Sequence, residues 1–511
     1  MRTTTFLLAL ALIFLTGCSV NPVTGKRELI LVSSAAELDM GKQNYGPMQQ
    51  SQGGQYDVDP ELTRYVQRVG GTVAAQSGVD LPYEFVVLNN SVPNAWALPG
   101  GKIAINRGLL TELNSEAELA AVLGHEAVHA AARHTAQQIS RSQIAQVGVV
   151  VTAIASSDSD YGNLYAGGAN LLAQMGLSKY GRSAELESDR YGMEYMSKAG
   201  YDPQGAVALQ ETFVRLSEGR RTDWLSGLFA SHPPSRERVE ANRATARSLP
   251  AGGKLGVDEY RAVMAKTMST APAYKTYDEG RKALSEKKMD EALALANKAL
   301  DLYPDEAHFH ALRGDIRLSA DKYDMAITNY DRAINRREGF FYYHLQRGLA
   351  KNELGQTDGA EADLNRSLEL LPTAPAHYTL GKIATKRGNT AKAIEHYKVV
   401  AQAGGDYGKA ATSALLKLDF PANPGNYIPT ACGIDTDGSV VASIRNDTAA
   451  VIENVRIIVS YYDAAGRPAS REQSISGKIP PGRVASLNTG IRAVLPNSKC
   501  STQIVSAELA D

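Results

Sequence analysis

The sequence has almost no cysteine, no block of one charge and no apolar run long enough to cross a membrane. Three cysteines in 511 residues leave room for a single internal disulfide. Lysine and arginine number 54 against 55 aspartates and glutamates, for a formal net charge of -1. Without a basic run or an arginine-rich arm, there is no electrostatic footprint for nucleic acid. Low-complexity tracts are also missing, so the composition is that of a globular protein. The apolar stretches Phe6 to Leu15 and Val147 to Ala155 are too short to span a bilayer, which takes about 20 residues in a helix. A chain of this length exceeds one ordinary core, and about two to four domains are expected.

The N-terminus is specific. "MRTTTFLLALALIFLTGCS" sets one basic residue before the Phe6–Leu15 run and ends in Leu15-Thr16-Gly17-Cys18, so residues 1–17 read as a secretion signal. The ending resembles the bacterial lipobox, in which the signal is removed and the cysteine becomes a lipidated N-terminus. Cys18 is therefore the expected lipidation site. Ser19 follows it rather than aspartate, which by resemblance to enterobacterial sorting rules implies the outer membrane, facing the periplasm. Export places Cys432 and Cys500 in oxidising conditions, where a disulfide between them is expected. Closing that long loop stabilises by about 4 kcal/mol in the chain-entropy model.

Three regions follow the signal. Residues 18 to about 268 mix helices with a short strand pair. Residues 271 to about 418 repeat: Gly280, Gly314, Gly348 and Gly381 are spaced by 34, 34 and 33, and twelve positions after each stands Ala292, Ala326, Ala360 or Ala393. Four further on come Ala296, Tyr330, Leu364 and Tyr397. This period resembles the tetratricopeptide repeat, with small residues where paired helices approach and each pair burying its apolar side on the next. An α-solenoid with a concave groove suited to peptides or partner helices is expected. The histidines at 308, 310, 344, 377 and 396 have no metal spacing and read as surface or packing residues. Residues 425–511 alternate as strands do, with Val455, Ile457, Val459 and Tyr461 on one face, and read as a small β-sandwich.

The chemistry lies in "LGHEAVHAAARH", residues 123–134. Ser115-Glu116-Ala117-Glu118 has the form of a capping box, so a helix starts at Ser115. On it His125 and His129 are one turn apart and can grip one ion. Glu126, about 100° around the helix from His125, can reach a water beside the ion without ligating it. This His-Glu-x-x-His arrangement is that of zinc peptidases. A third protein ligand must come from elsewhere, because Ala132 and Thr135 stand where a metzincin would need glycine and histidine. On an ideal helix His134 points to roughly the opposite side. A second helix over 181–203, capped by Ser183 and ended by Ala199-Gly200, carries Glu185 and Asp189 on one face. A stripe of Ala184, Ser188 and Gly192 lets it approach the first helix closely. Glu185 can then ligate zinc while Asp189 orients a ligating histidine. Glu187, about 200° from Glu185, should face away. Residues 139–177 read as two helices broken at Ser156–Asp160, placed to cover the cleft.

The order "NAWALPGGKIAINRGLL", the His-Glu-x-x-His helix, the Glu-x-x-x-Asp helix with "AGYDP", and "SHPPSRERV" resembles the HtpX-type zinc metallopeptidases. The repeats, together with "NPVTGKRELILVS" at 21–33, are similar to the exported, BepA-like branch of that family. The β-like tail departs from that layout. The resemblance implies an α+β multidomain protein: a mainly helical gluzincin-type metallopeptidase domain, a tetratricopeptide solenoid and a small C-terminal β-sandwich-like domain. It implies one Zn²⁺ per chain on His125, His129 and Glu185, with Glu126 as general base. Asn94, Ala95, Trp96 and Ala97 match an edge strand that holds substrate backbone. His232, with Arg238, matches an element near the metal, where the histidine either stabilises the oxyanion or occupies a zinc position as a self-inhibiting plug. The implied activity is endopeptidase cleavage of misfolded or stalled envelope proteins that dock on the repeat groove. The competing reading is a chaperone or assembly scaffold in which proteolysis is latent.

Overall fold

The computed structural model describes residues 18–142, 180–219, 232–435, 439–463, 466–492 and 499–510. The signal segment 1–17 and nearly all of the 139–177 segment lie outside the described residues. Two compact units meet between Leu371 and Pro372. Among the described residues no helix is long and apolar enough to cross a membrane.

The first unit opens with a hairpin of β1 (Cys18–Val20) and β2 (Arg27–Leu29), then α1 (Ser34–Ser51) and α2 (Pro60–Ala74). A three-stranded sheet follows in the order β3-β5-β4, from β3 (Glu84–Leu88), β4 (Ala95–Leu98) and β5 (Lys102–Asn106). β3 runs parallel to β5 and β4 antiparallel to it, so β4 is an edge. The β4–β5 connection turns on Gly100 and Gly101, whose φ values of 76° and 78° suit a tight hairpin. After α3 (Arg107–Leu110) come the two long helices of the site, α4 (Glu116–Ala131) and α5 (Arg182–Lys198), then α6 (Gln204–Gly219) and α7 (Arg236–Ser248).

α4 starts as its sequence dictates. Ser115 accepts from the Glu118 amide at 3.1 Å. The Glu118 carboxylate takes the amide of Asn114 at 3.0 Å rather than that of Ser115, a capping box displaced by one residue. All sixteen residues of α4 are buried, Glu116 among them, because that carboxylate accepts from Tyr65 at 2.8 Å, Tyr201 at 2.7 Å and Lys254 at 2.9 Å. Ser183 does not cap α5. Gly181 holds that position without a side-chain bond, and the helix starts one residue ahead of Ser183. Its small-residue stripe behaves as its composition requires: a Cβ on Gly192 would lie 2.9 Å from the His125 nitrogen and 3.0 Å from the Gly124 carbonyl carbon.

The boundary expected between 268 and 271 falls inside one helix, α8 (Val257–Ser285), which runs through Pro272. Proline removes one backbone donor, but burial on both sides holds the helix together. Tyr260 and Met264 pack in the same core cluster as α4, and Ala273 and Tyr274 continue that cluster toward Phe309 of the repeats. The repeat pairs then follow: α8 with α9 (Met289–Leu302), α10 (Ala307–Ser319) with α11 (Tyr323–Arg336), and α12 (Phe341–Glu353) with α13 (Thr357–Leu370). The glycines sit where the period placed them. A Cβ on Gly314 would meet the Tyr330 ring at 2.7 Å, and one on Gly348 the Leu364 side chain at 2.9 Å.

The repeat histidines do different work. His310 and His344 reach back to the carbonyls of Pro304 and Glu338 at 2.9 and 2.8 Å, the same device one repeat apart. His308 lies between the Gly53 carbonyl and the Tyr343 hydroxyl, and burial, helped by Arg337, pushes its imidazole down to about 3. The unfolded imidazole titrates near 6.5, so below that pH the unfolded chain binds a proton that the folded chain refuses. This contribution to stability is complete above the unfolded value and is lost as pH falls toward the folded one. Between pH 7 and 4.5 the urea unfolding free energy of His308→Gln is expected to fall less than that of the parent chain, by about 2 kcal/mol. Equal falls would rule out a neutral buried His308.

The second unit begins with the fourth pair, α14 (Ala374–Lys386) and α15 (Thr390–Ala401), in which Gly381 faces Tyr397, and continues into α16 (Gly405–Asp419). His377 and His396, far apart in sequence, meet here with their Nδ1 atoms 3.0 Å apart. The strands form two three-stranded sheets. β10 (Val484–Arg492), β7 (Ser439–Arg445) and β6 (Thr430–Ile434) make one. β11 (Ser501–Leu509), β8 (Ile452–Tyr462) and β9 (Pro468–Ile475) make the other. Val440, Ala442 and Ile444 from one sheet pack with Val455, Ile457 and Val459 from the other, and all six are buried. Cys432 and Cys500 are bonded, tying β6 to the start of β11 with Cα atoms 5.7 Å apart.

Candidate metal centre

α4 and α5 bring their polar residues together at the Gly124–Gly192 crossing. His125 and His129 face one another with Nε2 atoms 3.0 Å apart. Glu185 lies across from them, Oε1 3.5 Å from His129 Nε2 and Oε2 3.6 Å from His125 Nε2. His232, from the segment before α7, completes the group: its Nδ1 is 2.9 Å from Glu185 Oε1 and 3.4 Å from His125 Nε2. One ligand atom from each of these four buried residues lies within 4.8 Å of every other.

The hydrogen bonds fix which nitrogens face inward. Asp189 is clamped by Arg238, which donates from Nε to Oδ2 and from Nη2 to Oδ1, both at 2.7 Å. Burial raises the Asp189 carboxyl, but Arg238 and His125 outweigh it and hold the group below its ordinary value. A charged carboxylate only accepts. His125 must therefore donate from Nδ1 to Asp189 Oδ1, at 2.9 Å, which leaves its Nε2 lone pair turned toward His129. Two such lone pairs repel at this range unless a cation or a proton sits between them. Glu185 makes the cluster anionic. Burial would raise its carboxyl, yet His232, His129 and His125 hold it well below the usual carboxylate range. Two imidazoles and a carboxylate converging in this way suit zinc.

Glu126 differs from Glu185. Burial raises its pKa against the pull of His232 and His125, and among the described residues its Oε2 has no hydrogen-bond partner. A raised carboxyl facing open space is poised to take and return a proton. The space is a cavity of about 30 Å³ lined by His125, Glu126, His232, Ala95 and Gln210, large enough for water and too small for a peptide. Of the strand expected to hold substrate, only Ala95 lines this cavity. Trp96 points the other way, edge-on to Tyr45 at 6.1 Å, and Asn94 and Ala97 are buried outside the lining.

Two expectations, on His134 and Glu187, need correction, and Arg238 has partners that the resemblance did not specify. Arg238, grouped with the catalytic residues by resemblance, spends its guanidinium on Asp189, on Glu185 Oε2 at 2.8 Å and on the Pro233 carbonyl at 3.3 Å. It braces ligands and also lines the cavity beside Glu126 and His232. His134 does not point away from His129. α4 stops at Ala131, Arg133 adopts φ 62°, and a new helical run starts at His134, with the two Nδ1 atoms 2.9 Å apart. Glu187 does not face away either, because it meets His134 at 3.2 Å. Tyr180, also missed, stacks on the His129 ring with centroids 3.9 Å apart.

A His-Glu-x-x-His helix crossed by a glutamate-bearing helix, beside a three-stranded sheet with one antiparallel edge, is the layout of a metallopeptidase centre. Residues 60–246 match peptidase family M48, and residues 277–339 and 345–408 match the tetratricopeptide repeat. The chain thus carries an M48 domain followed by these repeats. The mitochondrial metalloendopeptidase OMA1 of Schizosaccharomyces pombe is 35% identical over 223 residues, covering 43% of this chain and 63% of that protein. The beta-barrel assembly-enhancing protease of Yersinia pestis is 26% identical over 307 residues, covering 54% and 62%. The metalloprotease YcaL of Escherichia coli (strain K12) is 33% identical over 165 residues, covering 31% and 60%. The chain spans less than two thirds of the length of these curated relatives.

Proposed function

We propose that this protein is a zinc-dependent metalloendopeptidase of the bacterial cell envelope, anchored by lipid on Cys18 and facing the periplasm from the outer membrane. The observation that carries the chemistry is the convergence of His125, His129 and Glu185 beside the Glu126 carboxylate, whose Oε2 has no hydrogen-bond partner among the described residues. His125, His129 and Glu185 would hold a divalent ion, which when bound would supply Lewis acidity toward water and toward a peptide carbonyl. Glu126 takes the proton of the attacking water and returns it to the leaving amine. Asp189 and Arg238 hold His125 and Glu185 in place, and β4, at its sheet edge, offers backbone to an extended substrate.

Residues 18–268 carry this chemistry, residues 271–418 dock misfolded or stalled envelope proteins, and the role of residues 425–511 is left open. The names of the assembly-enhancing relatives support a place in envelope protein assembly. In this reading the centre is latent, because His232 takes the fourth position of the donor cluster and the cavity has room for water but not for a peptide. His232→Ala is expected to raise basal cleavage of an unfolded protein several-fold. Unchanged or lower turnover would remove the plug and leave His232 the oxyanion role. Zinc analysis of residues 19–511 with and without Glu185→Ala tests the ligand set directly.

A further inference from the structure

We infer that His134 and Glu187 form a relay that fixes the tautomer and orientation of His129 for the metal, with Asn21 of the N-terminal hairpin closing it. This rests on the ligand set proposed above. The two histidine ligands are served differently. His125 donates straight to Asp189, but among the described residues no carboxylate touches the outer nitrogen of His129, and His134 stands there instead.

The hydrogen bonds run one way. Glu187 Oε1 lies 3.2 Å from His134 Nε2, and a carboxylate can only accept, so His134 carries its proton on Nε2. In a neutral His134 the Nδ1 is then an acceptor, and 2.9 Å away it meets His129 Nδ1, which donates. The lone pair of His129 is thereby left on Nε2, the atom facing His125 and Glu185. The opposite tautomer would put a proton on Nε2 and close the ligand position. Both histidines are buried, His134 4% and His129 1% exposed, and only the Glu187 side chain, 17% exposed, reaches toward solvent.

The far end is anchored as well. Asn21, fully buried, donates from Nδ2 to Glu187 Oε1 at 3.1 Å and to Glu28 Oε2 at 3.2 Å, while its Oδ1 accepts the amides of Val23 and Thr24. Arg133, whose left-handed backbone creates the turn, binds Ser19 Oγ at 2.9 Å and the Val32 carbonyl at 2.8 Å. The hairpin that follows Cys18 therefore holds both residues of the Arg133-His134 turn.

The test uses the full chain, with zinc affinity read by chelator competition, cobalt substitution read by its visible absorption, and metal-free melting temperature measured alongside. His134→Ala should weaken zinc about 10–100-fold, as loss of such a partner does elsewhere. His134→Asn, whose Oδ1 can stand where Nδ1 stood, should recover most of that affinity. His134→Gln, whose amide reaches only the Nε2 position, should not. If asparagine and glutamine lose zinc equally, or if affinity only follows the melting temperature, the relay is overturned. It is also overturned if His134→Ala binds zinc within two-fold of the parent chain. A parent chain that binds no zinc defeats the ligand set and the relay together, whereas zinc lost in Glu185→Ala but kept in His134→Ala defeats the relay alone.

Discussion

Glu126→Gln is expected to lower peptide-bond cleavage by about 10³-fold or more, in the upper range for loss of a positioned acid–base group, while zinc stays bound. Glutamine has the same shape and still fills the pocket beside His232, but its amide cannot accept and return a proton. Glu126 makes no hydrogen bond through Oε2 and ligates nothing in the cluster, so the four-residue donor group should survive the change. The measurement is turnover of an unfolded protein in the plug-free His232→Ala background, with metal content determined on the same sample. Undiminished cleavage would leave the proton transfer without a carrier. Full biological complementation by the glutamine variant would move the protein to the scaffold reading, in which the repeats act and the centre does not.

The second large effect is structural. Gly192→Val is expected to destabilise the first unit by about 3 kcal/mol or more and to abolish zinc binding, because the collision is with backbone that cannot swing aside. The atoms in the way are the His125 nitrogen, 2.9 Å from the added Cβ, and the Gly124 carbonyl carbon at 3.0 Å. Separating α4 from α5 would carry Glu185 and Asp189 away from both histidines. Urea unfolding and zinc stoichiometry measure the two losses. A variant that stays folded with full zinc would mean that the helices do not cross where Gly124 and Gly192 touch.

Much of this was legible because the period of a helix and the chemistry of an ion constrain one another. His125, Glu126 and His129 are readable from spacing, and Glu185 and Asp189 from a face that also carries small residues. The repeat glycines and their partners sixteen positions later are readable because close helix approach admits few residue types. What stayed hidden depended on a single backbone angle or on the meeting of distant segments. An alanine-rich run through Arg133 and His134 looks like uninterrupted helix, and only the φ of 62° at Arg133 turns it. Once that turn is missed, Glu187 has no partner and its position around α5 suggests solvent. Arg238 and His232 are placed near the metal by resemblance alone, because their own segment has no spacing that announces its approach. The boundary placed near residue 270 lies within α8, which is buried by different neighbours along its length.

That helix has a mechanical consequence. One rod with one end set in the core beneath the His-Glu-x-x-His helix and the other built into the first repeat cannot bend as a linker would. A chain gripped by those first repeats would reach the scissile position at a set arc length, so the bond broken would be chosen by distance from the grip more than by the residues flanking it. Fragments from unrelated substrates should then share a common size counted from the gripped end, and lengthening the rod by whole helical turns should shift that size in step.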